Sequence, residues 1–238
     1  VPEIGCCALC GGSDVRVLFE KLGRNFLRCR GCGLVRIDPM PTQSELSDYY
    51  ASAYAGGRYT HFASAGDVRS LIASHRAQRV SELVSPGHWL DIGCSTGDFV
   101  AAALEAGARG EGIDISGPAV EQACARGLVA HHSGVEDFEP AEPFDAITAF
   151  DVVEHLLDPR DFLTRVREWL RPGATLVLTT PDVSSLYPRL LMGRHWFYYW
   201  PDEHLFYFEP STISRLLTEV GFVDVSVTRA HKPLTLRY

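Results

Sequence analysis

From residue 88 onward the chain alternates between short apolar runs and stretches whose apolar residues recur every three or four positions. HWLDIG, GEGIDI, LVAHHS, FDAITAFD and ATLVLTTPD have the length and composition of strands. DFVAAALEAG, GPAVEQACARG, LLDPRDFLTRVREWLRPG and STISRLLTEVG carry the helical period between and after them, and FVDVSVTRA follows the last. Strands separated by helices predict an α/β fold, a doubly wound, mainly parallel Rossmann-like sheet over residues 86–238. The closing HKPLTLRY is short for the strand that would complete such a sheet.

Upstream the pattern changes. Residues 67–84 place Val68, Leu71, Ile72, Val80, Leu83 and Val84 on one side of an amphipathic helix, and Thr42-x-x-Glu45 has the spacing of a capping box at a helix start. AGGRYTHFASAG (55 to 66) reads as a loop. Residues 41–85 are therefore expected to form a helical linker or cover.

Five of the seven cysteines fall in the first 32 residues. Cys7-x2-Cys10 and Cys29-x2-Cys32 are two thiolate pairs with the spacing of a four-cysteine zinc site, each followed by glycine at the turn. Cys6 is a competing thiol, but the CxxC register selects Cys7. Residues 1–40 are thus expected to be a small zinc ribbon. Four thiolates leave no open position on the ion, so its expected role is structural, supplying folding free energy that a segment this short lacks. Cys94 and Cys124 are expected to be inert.

Composition narrows the partners. With 238 residues, 46% hydrophobic and 22% charged, the chain can bury a full core, and its formal net charge of −8 makes nucleic acid an unfavoured partner. No apolar run reaches the roughly 18 to 20 residues needed to span a bilayer, and a cytoplasmic location is expected. Oligomeric state does not follow from the sequence.

The chemistry is expected at the carboxyl ends of the parallel strands. LDIGCSTGDFV (90 to 100) runs from an apolar strand through an acid and two glycines into a helix. A dinucleotide fingerprint needs three glycines, and this turn offers Gly93, Ser95 and Asp98 at those places. Asp91 would repel a pyrophosphate but favour a ligand carrying an ammonium and a sulfonium. Asp114, ending the second strand 23 residues later, is placed to accept hydrogen bonds from ribose hydroxyls.

These residues resemble the class I S-adenosylmethionine-dependent methyltransferases over roughly residues 85 to 238. Asp91, Gly93, Cys94, Ser95 and Gly97 look like the family's first motif, and Asp114 like its second-strand acid, with Ile115 beside it. Gly134 to Asp137 look like the stretch bordering adenine, which implies cofactor contacts from Val135 and Glu136; Gly134 stands where an aspartate is frequent. Ribbon, linker and domain together resemble a bacterial group acting on small molecules such as sugars, lipids or secondary metabolites. Methyl transfer to a hydroxyl of such an acceptor is the reaction this implies, with transfer to nitrogen or carbon, or to RNA, as alternatives.

Such a reaction calls for a proton acceptor beside the fourth strand. DVVEH (151 to 155) is expected to open a helix, with Asp151, Glu154 and His155 at i, i+3 and i+4 on one face and Asp151 also near the cofactor. His155 suits a general base. Three roles stay open: a metal-free base, a divalent ion such as magnesium held by Asp151, Glu154, His155 and His204 as the resemblance implies for some relatives, or a purely structural role. In the aromatic stretch 192 to 208, Trp196, Tyr198 and Tyr199 are expected to line an acceptor pocket and Phe206 and Phe208 to be buried. Tyr59 and His61 are expected to be plain loop residues, with a fold over the cofactor as the alternative, and His131 and His132 are expected in structural roles.

Overall fold

The computed structural model describes residues 5–55, 66–186 and 192–230. Tyr59, His61 and HKPLTLRY lie outside these residues. The chain forms two compact units that interleave along the sequence: one takes the chain up to Tyr50, Asp151–Thr164 and Thr180–Thr228, the other Ala51–Phe150, Arg165–Thr179 and the residues after Thr228.

In the second of these units, β4 (His88–Ile92), β5 (Arg109–Asp114), β6 (Val129–His132), β7 (Phe144–Phe150) and β8 (Leu170–Thr179) form the expected parallel sheet in the order β6-β5-β4-β7-β8. The chain winds outward from β4 to β6, then returns to lay β7 against β4, which makes the carboxyl end of β4 the point where strand order reverses. Every residue of β4 is buried, as a central parallel strand requires. Trp89 and Ala146 from this sheet pack with Phe99, Ala102 and Ala103 of α3 (Asp98–Glu105) and with Ala73, Ala77 and Val80 of α2 (Gly66–Ser81). α4 (Gly117–Ala125) connects β5 to β6, whereas residues 133–143 join β6 to β7 without a helix.

The other unit carries the cysteines. β1 (Val15–Lys21) and β2 (Arg24–Cys29) form an antiparallel hairpin closed by Leu22 and Gly23, both at positive φ, and β3 (Val35–Asp38) pairs with β2. A fourth strand, β9 (Phe206–Tyr207), comes from the far end of the chain and pairs with β3 through Val35↔Tyr207 and Arg36↔Phe206. α1 (Gln43–Ala55) opens with the expected capping box: the Thr42 amide donates to Glu45 Oε2 at 2.7 Å and the Glu45 amide to Thr42 Oγ1 at 3.2 Å. α6 (Pro210–Val220) closes this unit.

Two elements depart from expectation. α5 runs over Pro159–Trp169 rather than from Leu156, because the Asp158 carboxylate accepts from the amides of Arg160 and Asp161, both at 3.0 Å, and Pro159 fixes the first turn. DVVEH forms a short 3₁₀ turn, Val153–His155, so the helical face proposed for Asp151, Glu154 and His155 does not exist.

The close approach of β5 to the turn after β4 depends on a missing side chain. A methyl group at Gly112 would stand 2.4 Å from Cys94 Cβ. Gly112→Ala should therefore cost about 1–3 kcal/mol in thermal or urea unfolding, and pairing it with Cys94→Ala should restore only part of the loss, since this removes Sγ at 2.6 Å but leaves Cβ in place.

Candidate active site

At the end of β4 the chain leaves the sheet through Gly93, whose amide donates to the Ile113 carbonyl at 2.9 Å, as does that of Cys94 at 3.0 Å. Gly93, Ser95 and Gly97 all take positive φ, at 76°, 49° and 80°. A side chain at Gly97 would also meet Leu128 Cδ1 at 2.5 Å, so this glycine is required by both backbone and space. The turn is tied across to β5: the Ser95 amide donates to Asp114 Oδ2 and the Ser116 amide to Asp114 Oδ1, each at 2.8 Å. Both carboxylate oxygens of Asp114 are thereby oriented, and each keeps lone-pair capacity for a further donor.

Asp91 is buried beneath this turn. Thr148 Oγ1 on β7 donates to its Oδ1 at 2.7 Å, and the positive field of Arg76 favours its ionised form. Burial outweighs both and pushes its pKa up to about 7, with the neighbouring Asp114 charge adding in the same direction. Asp114 is raised as well, chiefly by burial and in spite of its two backbone donors. The Arg76 guanidinium is 4.2 Å from the Phe150 ring centroid. Thr148 and Arg76 lie in sequence stretches without a motif signal.

The other expected cofactor residues are distributed as follows. Ile115 is 56% exposed, and its Cγ2 lies 3.9 Å from where a Cβ on Gly134 would be. Val135 is buried and Glu136 exposed in the loop after β6. A Cβ at position 134 would meet Glu136 Oε2 at 2.8 Å, the far end of an exposed side chain that can move aside. Asp151 belongs to the other unit, at φ 58°, directly after the last residue of β7. His131 and His132 bond Glu111 and the Ile115 carbonyl, both at 3.0 Å, in structural roles as expected.

The first unit assembles two clusters. Sγ of Cys7 lies 3.5 Å from that of Cys32, and Sγ of Cys10 lies 3.5 Å from that of Cys29, with all four within 4.8 Å of one another. The two knuckles repeat one turn: the Gly11 and Gly33 amides bond the Cys7 and Cys29 carbonyls at 2.8 and 3.0 Å, with both glycines at positive φ.

In the second cluster, donor atoms of Glu154, His155 and His204 lie within 4.8 Å of one another. Glu154 is 1% exposed, His204 is buried, and the two imidazole rings meet edge to face at 4.7 Å. Asp151 stands outside this trio but near enough to His155 to favour its charged form, as does Glu203; burial outweighs them and holds the His155 pKa below the usual histidine value. Tyr50, which carried no sequence signal beyond its place in the linker, brings its hydroxyl to 3.1 Å from His155 Nδ1.

The aromatic stretch is mostly core. Trp196 and Tyr199, expected in a pocket wall, are buried: Tyr199 packs on Phe26, Phe19 and Tyr207 at centroid distances of 5.2, 5.0 and 5.2 Å. The ribbon strands present an apolar aromatic face, and these rings cover it. Tyr198 is half-buried and stacks toward His204 at 5.8 Å, while Phe206 and Phe208 are buried as expected.

The sequence profile of a family described as a methyltransferase domain matches residues 64–227, over two thirds of the chain. The chain belongs to this methyltransferase-domain family. It is similar to the ubiquinone biosynthesis O-methyltransferase of Bradyrhizobium sp. (strain ORS 278), 34% identical over 97 residues covering 38% of each chain. It is also similar to the tRNA U34 carboxymethyltransferase of Methylococcus capsulatus, 36% identical over 159 residues covering 58% of this chain and 47% of the other. These matches span about two fifths and about half of the relatives' lengths. Among solved structures, a SAM dependent methyltransferase from Archaeoglobus fulgidus shares the fold, with a TM-score of 0.55, 23% identity, and coverage of 66% of this chain and 70% of that one.

Within the methyltransferase domain, a carboxyl that ionises only near pH 7 when folded, but near pH 4 when unfolded, subtracts stability as pH rises through that interval. Asp91→Asn, which keeps an oxygen for Thr148, should unfold at a higher temperature than the parent at pH 8, by an amount worth at most roughly 4 kcal/mol. The difference should shrink steadily toward pH 5; a gap that is flat across this range in paired thermal melts would count against Asp91 as its source.

Proposed function

We propose that this chain transfers the methyl group of S-adenosylmethionine to a small-molecule acceptor, with a hydroxyl as the first candidate. The observation that carries the reading is the pair of buried carboxylates at the ends of β4 and β5, the second of which is tied to the turn after β4 by the Ser95 amide. The residues present fit the cofactor. Asp91 is a buried acid whose ionisation a cation would favour, Asp114 offers two oriented oxygens for a ribose diol, and Ile115 with Val135 gives an apolar surface for adenine. Gly93, Cys94, Ser95 and Gly97 would let the backbone approach the ligand, and Glu136 would add a polar contact. Once bound, the cofactor supplies an activated methyl group on a sulfonium.

The protein's remaining task is to orient the acceptor and take its proton. We assign the proton to His155, which burial keeps neutral near pH 7 and which is therefore ready to accept. Glu154 and His204 flank it and would hold an imidazolium once formed. Asp151, three residues before Glu154 in the chain, adds a negative field. A magnesium ion does not fit this cluster, since two imidazoles and one carboxylate are not the oxygen-rich set that ion requires. No step is assigned to it.

Cys7, Cys10, Cys29 and Cys32 fit zinc. Four sulfurs around one ion at about 2.3 Å stand about 3.8 Å apart, close to the separations found here. The site is closed, so its part is to hold the ribbon together. We retain the division into ribbon (1–40), linker (41–85) and cofactor-binding domain (86–238) as a description of roles, and a cytoplasmic setting as the working assumption; no described helix is long and apolar enough to cross a membrane. RNA is the second acceptor class, supported by the tRNA-modifying relative and opposed by the net charge of −8.

Calorimetric titration of S-adenosylmethionine into zinc-intact protein should give a single binding event that Asp114→Ala abolishes while circular dichroism shows the fold intact. With an acceptor in hand, His155→Gln should lower kcat by about 10²- to 10⁴-fold and leave cofactor affinity unchanged. Absence of binding to folded protein would remove the reading, and a salt-dependent shift of tRNA would redirect it to nucleic acid.

One zinc per chain should be found by metal analysis, and Cys10→Ser or Cys32→Ser should lose it. Stripping the ion should expose the aromatic face of the ribbon, read as increased dye binding and a lower unfolding temperature. Metal-free protein with an unchanged melt would show the thiols to be a bare cluster.

A further inference from the structure

Three arginines share one face of the ribbon hairpin. In the ladder between β1 and β2, Arg16 stands directly opposite Arg28. Arg30 follows Arg28 by two residues, on the same face of the strand, and its amide extends the ladder by donating to the Asp14 carbonyl at 2.9 Å. With Glu209 and Ser211 at the start of α6, they line a groove of about 520 Å³. Like charges directly across an antiparallel pair work against the pairing, so this face is costly unless anions offset it. Among the described residues lining the groove Glu209 is the single acid, and it pairs with Arg28 at 2.7 Å. Arg30 lies 3.4 Å from Asp14, where both side chains are mostly exposed and the ion pair contributes little. The Arg16 guanidinium has no hydrogen-bond or ion-pair partner among the described residues.

The neighbouring thiolates do not use up these donors. Cys29 and Cys32 form part of the wall, yet their sulfurs lie 3.5 Å from those of Cys10 and Cys7 and bond none of the three guanidiniums. A guanidinium presents five N–H donors in a planar fork that matches phosphate oxygens. A concave site of this volume falls in the range of small-molecule pockets, while the chain's net charge of −8 works against an extended polyanion. We infer that the groove binds the phosphate or diphosphate group of a small molecule, with Arg16 and Arg30 donating to its oxygens, Arg28 shared between the anion and Glu209, and the Ser211 hydroxyl adding a further donor. The site goes beyond methyl transfer: none of the residues proposed for the cofactor or for the acceptor's proton takes part in it.

The test titrates inorganic phosphate into the zinc-loaded full chain at constant ionic strength and follows the NMR amide signals of Gly31 and Gly33, which line the groove. Both should shift to saturation along one binding curve. Arg16→Gln should weaken the affinity roughly tenfold, whereas Lys21→Gln, the same change of charge at the other end of β1, should leave it unchanged. Glu209→Gln keeps an oxygen for the Thr212 amide that caps α6 but releases Arg28, and should tighten binding. Shifts that rise linearly without saturating, or equal weakening by Arg16→Gln and Lys21→Gln, would overturn the inference, the second by reducing the site to a diffuse field. A parallel titration with tRNA separates the sources of phosphate: Arg16-dependent binding of tRNA without saturable binding of phosphate would make this face a polynucleotide surface and overturn the small-molecule site.

Discussion

A carboxylate buried at the end of the central strand is the constraint around which the methyltransferase domain is arranged. Asp91 sits where β4 is flanked by β5 and β7, in a strand with no exposed residue, and among the described residues its charge is favoured by Thr148 and the field of Arg76. A leucine or asparagine there would cost less. An acid at this depth makes physical sense where a cation arrives to share the charge, and the turn above it is shaped for close approach by a ligand. Gly97 cannot carry a side chain, and Ser95 is held at positive φ by its bond to Asp114. Stability has been given up at the strand end where a bound cofactor would restore it.

The ribbon unit follows a different logic, in which a nonlocal strand does the positioning. β9 adds to β3, and the register continues beyond the named strands: the Ile37 amide bonds the Leu205 carbonyl at 3.0 Å, and the Leu205 amide bonds the Glu154 carbonyl at 2.8 Å. A line of backbone hydrogen bonds therefore runs from the cysteine-bearing sheet through the residue after His204 to Glu154. The aromatic rings of Phe26, Tyr199 and Tyr207 fill the space beneath it. Thiolate coordination remote from the histidines would in this way fix their separation, because the sheet that such an ion would stabilise is the sheet that holds β9.

Much of this was legible in the sequence, and the boundary between what was and was not has a physical basis. The five parallel strands, the capping box at Thr42 and Glu45, the glycine turn and the choice of Cys7 over Cys6 are written in spacing of a few residues, which local geometry obeys. DVVEH was misread as one helical face because i, i+3 and i+4 spacing is meaningful only if the helix forms. Asp151 at positive φ ends the strand abruptly, and only a single 3₁₀ turn follows. Glu154 and His155 meet His204 all the same, through tertiary packing. The pairing of β9 with the ribbon, and of Tyr50 with His155, joins residues far apart in the chain that carry no pattern of their own. Trp196 and Tyr199 were open to a pocket or a core reading, since large aromatic rings suit both; the ribbon's need for a cover decided it.

The same contrast explains why the two carboxylate environments suit different tasks. Asp114 is satisfied by two backbone amides that cannot move without disturbing both the turn and the start of α4, so its geometry is imposed by the fold and suits recognition. Glu154 lies beside two imidazoles, side chains that can take up or release a proton without rearranging backbone. A fixed acceptor is what a ribose diol needs, and a responsive one is what proton transfer needs. Placing the second kind on a turn braced by α1 and β9, rather than on the parallel sheet, would on the proposed function let proton-handling residues be adapted to an acceptor without altering the strands proposed for the cofactor.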